Sequence, residues 1–166
     1  MGSRPNMTTS ELDELFLRQS FDVARRSLAH GNHPFGAILV DQDRNVLIET
    51  ENGYMPSRDG TAHAERLLAT KACTTLSPSV LKGATLYSSA EPCAMCAGAI
   101  YWAGIGRLVY GLSEHRLRGF TGDHPENPTL DLPCREVFKS GQRPTEVIGP
   151  LLEDEAEALH EGVWDK

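Results

Sequence analysis

Thr85-Leu86-Tyr87-Ser88-Ser89 runs on through Glu91-Pro92-Cys93-Ala94-Met95-Cys96 towards Ala103. The first five residues read as a strand. Glu91-Pro92 stops it, since proline has no N–H to give to a ladder. Cys93 then opens a helix of small residues, and Gly104 ends it. Arg107 to Gly111 reads as the next strand. Strand, helix, strand is the repeating unit of a sheet with helices on both faces, so this stretch decides the fold class: α/β, one layered sandwich.

The same stretch carries chemistry. Two cysteines three apart in a helix's first turn present both sulfurs on one side. The positive end of the helix favours their thiolates. Thirty positions before Cys93 stands His63, in Thr61-Ala62-His63-Ala64-Glu65. An imidazole and two thiolates are good zinc ligands, and a catalytic zinc site keeps its fourth position for water. His63, Cys93 and Cys96 are therefore the candidate metal ligands, for one Zn²⁺ per subunit. Glu65 is a carboxylate that can move protons.

Two residues along a regular helix do not face the same way. His63 and Glu65 can serve one water only if both sit at the helix start, with the water beyond its end. Taken alone, Cys-x-x-Cys fits a redox pair or a closed structural zinc site equally well. A closed site would need Cys73 or Cys134 as fourth ligand, and neither shares a spacing with the others.

Outward from this centre, Ser10 is the expected cap of a helix over Glu11 to His30, with Glu11, Asp13 and Glu14 in its first turn. Phe35 to Val40 and Val46 to Thr50 read as a hairpin around the turn residues Asp41 to Asn45. Asn52-Gly53 and Pro56 to Gly60 form a loop. Thr61 is the expected N-cap of a helix from Ala62 to Ala72. Thr74 to Gly83 reads as a linker and Gly119 to Pro133 as a long loop, where function often resides. Cys134 to Lys139 is a short helix, Val147-Ile148 a short strand, and Leu151 to Trp164 an amphipathic helix.

The 166 residues suit one domain, here residues 9–166 after a lead-in over 1–8. No apolar run reaches a membrane span and no secretory signal is visible, so the expected compartment is cytoplasmic, where four cysteines favour metal or redox chemistry over disulfides. Net charge is −7, and Glu153–Lys166 holds six acidic residues against one lysine. That balance argues against nucleic acid as a partner, although Arg107, Arg116 and Arg118 could form a local basic patch.

His-x-Glu followed by Pro-Cys-x-x-Cys is the signature of zinc-dependent nucleobase deaminases. With His33-Pro34-Phe35-Gly36-Ala37, Asn52 and Gly98-Ala99-Ile100-Tyr101-Trp102-Ala103, the sequence resembles the cytidine deaminase-like superfamily, and within it the guanine deaminase and nucleoside deaminase group. Ala99 to Trp102 departs from the Met-Ile-His type stretch usual in bacterial tRNA adenosine deaminases.

The resemblance implies a three-layer α/β/α sandwich with a five-stranded mixed sheet, a homodimer, and a small heterocyclic substrate. It implies zinc hydroxide attack on the amine-bearing carbon of a guanine-like base, with release of ammonia. Asn52 would bind the base, though Asn52-Gly53 is also good turn chemistry. Phe35 would stack on the ring or pack in the core. The N–H groups of Ala64 and Cys93 and the carbonyl of Glu91 would position substrate. Trp164 would lid the pocket or fill the core, with His160 four residues before it. Asp123, His124 and Glu126 could reach a substrate or simply be solvated. The alternatives are a tRNA adenosine deaminase, a cytosine or cytidine deaminase, and a zinc-stabilised domain without turnover.

Overall fold

The computed structural model describes residues 6–165. Five strands form one mixed sheet: β1 (Gly36–Val40), β2 (Val46–Glu51), β3 (Thr85–Ala90), β4 (Arg107–Leu112) and β5 (Glu146–Ile148). Their order is β2-β1-β3-β4-β5. β1 is antiparallel to β2 and β3, whereas β3, β4 and β5 run parallel. The start of β1 and the ends of β2, β3 and β4 therefore share one edge of the sheet. Gly36 pairs with Glu51, Ala37 with Ser88, and Ala90 with Leu112.

Side chains alternate across the pleat, and the two faces take separate cores. Ala37, Leu39, Leu86 and Leu108 pack against α2 (Ala64–Thr75), α3 (Pro78–Gly83), α4 (Ala94–Ala103) and α6 (Cys134–Lys139). Ile38, Val40, Tyr87 and Val109 pack against α1 (Thr9–Ala29), α5 (Glu114–Thr121) and α7 (Glu153–Ala158). This is the three-layer α/β/α sandwich. α1 lies so close on β1 that a Cβ at Gly36 would meet the Ala24 nitrogen at 2.5 Å and the Ser20 carbonyl at 2.7 Å.

Asp13 is not a first-turn surface acid. It is buried, accepts the Tyr87 hydroxyl, and takes a two-pronged bond from Arg107, each at 2.7 Å. It pins α1 to β3 and β4.

Several local expectations are corrected. The cap of α1 is Thr8, in a capping box with Glu11, rather than Ser10. Of the lead-in over 1–8, residues 1–5 lie outside the described residues, and Met7 packs on the second core. Thr61 spends its hydroxyl on Asp59, so α2 starts later, with His63 at its N-cap. Part of the 74–83 linker is α3, capped by Ser77 with Pro78 in its first turn. The segment read as loop from Gly119 overlaps α5, whose cap is Ser113. α7 covers only Glu153–Ala158, and residues 159–163 continue as turns.

Candidate functional site

α2 and α4 bring their N-termini to the same edge of the sheet. His63 occupies the N-cap of α2 with extended backbone (φ −69°, ψ 150°). Cys93 occupies the N-cap of α4 in the same way (φ −66°, ψ 173°). An extended cap residue points its side chain off the helix end, so His63 and Glu65 need not share a helical face. The Thr50 hydroxyl donates to the Ala64 carbonyl at 2.7 Å and ties the α2 start to β2.

His63 Nδ1 lies 3.5 Å from Cys93 Sγ and 3.5 Å from Cys96 Sγ. The three ligand atoms lie within 4.8 Å of one another. Zn–S bonds of about 2.3 Å and Zn–N bonds of about 2.0 Å at tetrahedral angles need an N···S edge of roughly 3.5 Å. The donor set and its spacing fit zinc. Cys73 is exposed on α2 and Cys134 is buried in α6. Among the described residues neither joins the group, so three protein ligands remain and the closed structural site does not form.

Glu65 is 5% exposed. Burial pushes its carboxyl up to about 7, with His63 pulling against the shift. Cys93 falls to about 4, chiefly because the Cys96 thiol hydrogen-bonds to it, with His63 adding to the effect. Cys96 rises, as the donor of that pair and as a buried group. The helix end alone therefore does not ionise both thiols; a coordinating metal removes such a proton outright.

The remaining candidates divide. Asn52 is buried at the end of β2, and its N–H donates to the Phe35 carbonyl at 3.1 Å. Its Oδ1 accepts the Tyr54 N–H at 2.8 Å, which is turn chemistry. The Nδ2 group stays available. Phe35 is half-buried, its ring 5.2 Å from that of His160. The Glu91 carboxylate accepts the N–H groups of Glu114 at 3.0 Å and Cys134 at 2.8 Å, and so holds the starts of α5 and α6. Trp164 is buried and stacks on His33 at 4.2 Å. Trp102 is 85% exposed.

Other groups at this edge escaped the sequence reading or were left open between substrate and solvent. Glu114 follows β4 and is raised to about 7 by burial, then by the charges of Cys93, Glu91 and Glu65. The signal for it was its place at the carboxyl end of a parallel strand, where open α/β sheets bind ligands. His33 bonds Glu126 at 2.9 Å, and His124 lies edge-on to Trp164 at 5.4 Å. Asp123 is exposed. The suspected basic patch is neutralised: Arg107 pairs with Asp13 and Glu146, Arg116 with Glu153, Asp154 and Glu157, and Arg118 with Asp131. Among the described residues no helix is long and apolar enough to cross a membrane.

The family model for the cytidine and deoxycytidylate deaminase zinc-binding region matches residues 10–112. A probable cytosine deaminase from Schizosaccharomyces pombe is 41% identical over 156 residues, 94% of each chain. A tRNA-specific adenosine deaminase from Haemophilus influenzae is 37% identical over 129 residues, covering 74% of this chain and 75% of its own. The solved structure of a guanine deaminase from Nitrosomonas europaea superposes with a TM-score of 0.70 at 25% identity, over 87% of this chain and 80% of that one.

Proposed function

The chain belongs to the cytidine and deoxycytidylate deaminase zinc-binding family, and from that premise we propose that it deaminates a small free nucleobase, guanine-like bases first. The carrying observation is the meeting of two helix N-termini that puts His63, Cys93, Cys96 and buried Glu65 at one sheet edge. His63, Cys93 and Cys96 would hold zinc, which would lower the pKa of water and so supply hydroxide as nucleophile for the ring carbon that bears the amine.

The protein's own groups do the rest. Glu65 takes one proton from the attacking water and gives it to the ring nitrogen, then takes the second proton from the hydroxyl of the ring adduct and gives it to the amine, which leaves as ammonia as the ring C=O forms. A carboxyl held near 7 suits that exchange. Asn52 Nδ2 donates to an acceptor on the base. The Ala64 and Cys93 N–H groups, at or next to helix starts where they lack intrahelical partners, and the Glu91 carbonyl orient the ring. Phe35 packs against it and Trp164 closes the site from above.

Free bases are preferred to tRNA because the arginines that might hold phosphates are already paired with carboxylates. A second reading, cytosine deaminase, is favoured by the likeness to the S. pombe protein, which spans 94% of both chains. A homodimer in the cytoplasm completes the proposal; an exposed Trp102 on α4 suits an interface between copies. Ammonia release from the zinc-loaded protein tests the function, with guanine, cytosine, adenine, their nucleosides and tRNA as substrates. Turnover of a free base supports it, and turnover of tRNA alone overturns it.

A further inference from the structure

Among the described residues, two buried histidine nitrogens at the sheet edge that carries His63 and Cys93 have no hydrogen-bond partner. His160 is 1% exposed. Its Nδ1 accepts the Trp164 indole N–H at 3.1 Å, so the proton of the neutral ring sits on Nε2. That N–H is buried without a partner among the described residues. His124 repeats the pattern. Its Nδ1 accepts the Glu126 N–H at 3.0 Å, and its Nε2–H is likewise buried and unpartnered.

An orphaned buried donor is costly unless something fills its bond. Here two occur around one indole: the His160 ring lies parallel to Trp164 at 6.2 Å and His124 edge-on at 5.4 Å. His33, stacked on the same indole, has its Nε2 bonded to Glu126.

Short steps connect this cluster to the metal ligands. The His160 ring lies against Phe35. The Phe35 carbonyl accepts the Asn52 N–H, and the Gly53 N–H donates to the Ala62 carbonyl at 2.9 Å, one residue before His63. The Gly36 N–H donates to Ser89 Oγ at 3.1 Å, four residues before Cys93.

We propose that His124 and His160 are specificity-determining residues whose Nε2–H groups donate to the oxo group of the bound base. This rests on the deaminase reading and narrows it to an oxo-bearing aminoheterocycle of the cytosine or guanine type, against the adenine type. Both rings are fixed as neutral donors by the bonds to their Nδ1 atoms, which suits an uncharged carbonyl rather than a phosphate. Burial holds His160 down to about 4, with His33 adding to the shift. Both nitrogens are buried. The turn over 159–163 that carries Trp164 therefore opens to admit the base and closes behind it.

The test compares substrates with and without the oxo group and its neighbouring ring N–H: cytosine with 4-aminopyrimidine, and guanine with 2-aminopurine. The wild-type protein is expected to favour the oxo member by about 100-fold or more in kcat/KM. His124→Phe and His160→Phe should each lose roughly 10- to 100-fold on the oxo member, mostly in KM, and little on the other. His124→Gln and His160→Gln, which keep an N–H donor, should recover most of the loss. Equal losses on both members would mean that the histidines only pack the roof, and would overturn the proposal. So would a wild-type protein indifferent to the oxo group, a comparison that needs no variant to fold. Calorimetric binding of the same pairs reads the same split without turnover. Binding that discriminates the oxo group, with no ammonia released, would sink the deaminase reading and leave the recognition standing.

Discussion

The metal end of the site and its aromatic roof are built by opposite means. The metal end uses two short segments, each at the start of a helix docked on the sheet. His63 and Cys93 are N-cap residues, and helix position alone aims their side chains. The roof draws on three separated segments: His33 and Phe35 before β1, His124 in the loop after α5, and His160 and Trp164 in the turns after α7. Its polar atoms are not all satisfied. A rigid, locally specified base carries a reaction shared by cytosine, guanine and adenosine deaminases. A roof assembled over long range, with unfilled hydrogen bonds, is where substrates are told apart.

Breaking the metal end should have the largest effects and leave the roof intact. Stripping zinc with a chelator should abolish ammonia release and lower the melting temperature. A ligand present at 100 times its dissociation constant stabilises by about 2.7 kcal/mol. Calorimetry with and without added zinc checks this, and an unchanged melting temperature would refute His63, Cys93 and Cys96 as the holding group. Glu65→Gln should then cost roughly 10³-fold in kcat, within the range for a general acid–base group. Zinc content, measured by metal analysis, and KM should hold. An unchanged kcat would remove Glu65 from the mechanism.

The contrast also explains what the sequence disclosed. All five strands and the start of α4 were legible, because strand patterning and the Glu-Pro-Cys stop are local signals. So were the three metal ligands. α3 and α5 were missed even though Ser77-Pro78 and Ser113 are good cap signals, since helices of 6 and 8 residues are too short for an apolar period to repeat. The start of α2 was misjudged because Thr61, a good cap residue, bonds Asp59 instead. The roof was the least legible part. His124 reads as a loop residue until Trp164 covers it, and the bonds that fix the two histidine tautomers span only two and four residues without announcing where the rings point. Glu114 shows the same limit: its raised pKa depends on burial and on the charges of Cys93, Glu91 and Glu65 arriving from elsewhere.

Trp164→Ala tests the roof side of the comparison. Removing a core Trp costs 3–5 kcal/mol as a rule. Here we expect about 3 kcal/mol, since the turns after α7 can open locally. The variant should keep its zinc and most of its kcat while KM rises, because Trp164 covers the base without touching the proton transfers. Loss of zinc on this substitution would show that roof and metal end are one cooperative unit, and the division drawn above would fail.

The most selective effect concerns a single ring. His160 has its pKa lowered from 6.5 to about 4 by burial, then by His33, which is itself bonded to Glu126. Its unfolded form takes up a proton below 6.5 while the folded form resists until about 4. The stability this ring contributes is therefore present in full above 6.5 and is lost as pH falls towards 4. At 1.36 kcal/mol per unit the loss reaches about 3 kcal/mol. Glu65 and Glu114, both raised to about 7, act with the opposite sign: between 7 and 4.5 the folded state holds their protons more tightly and gains stability as pH falls. A single unfolding curve mixes these effects, and the difference between wild type and His160→Gln isolates one. Across denaturant titrations at several pH values, that difference should be constant above 6.5. It should shift by about 3 kcal/mol in favour of the variant between 6.5 and 4. A flat difference would mean that His160 meets water in the folded protein, and that the roof is open rather than sealed.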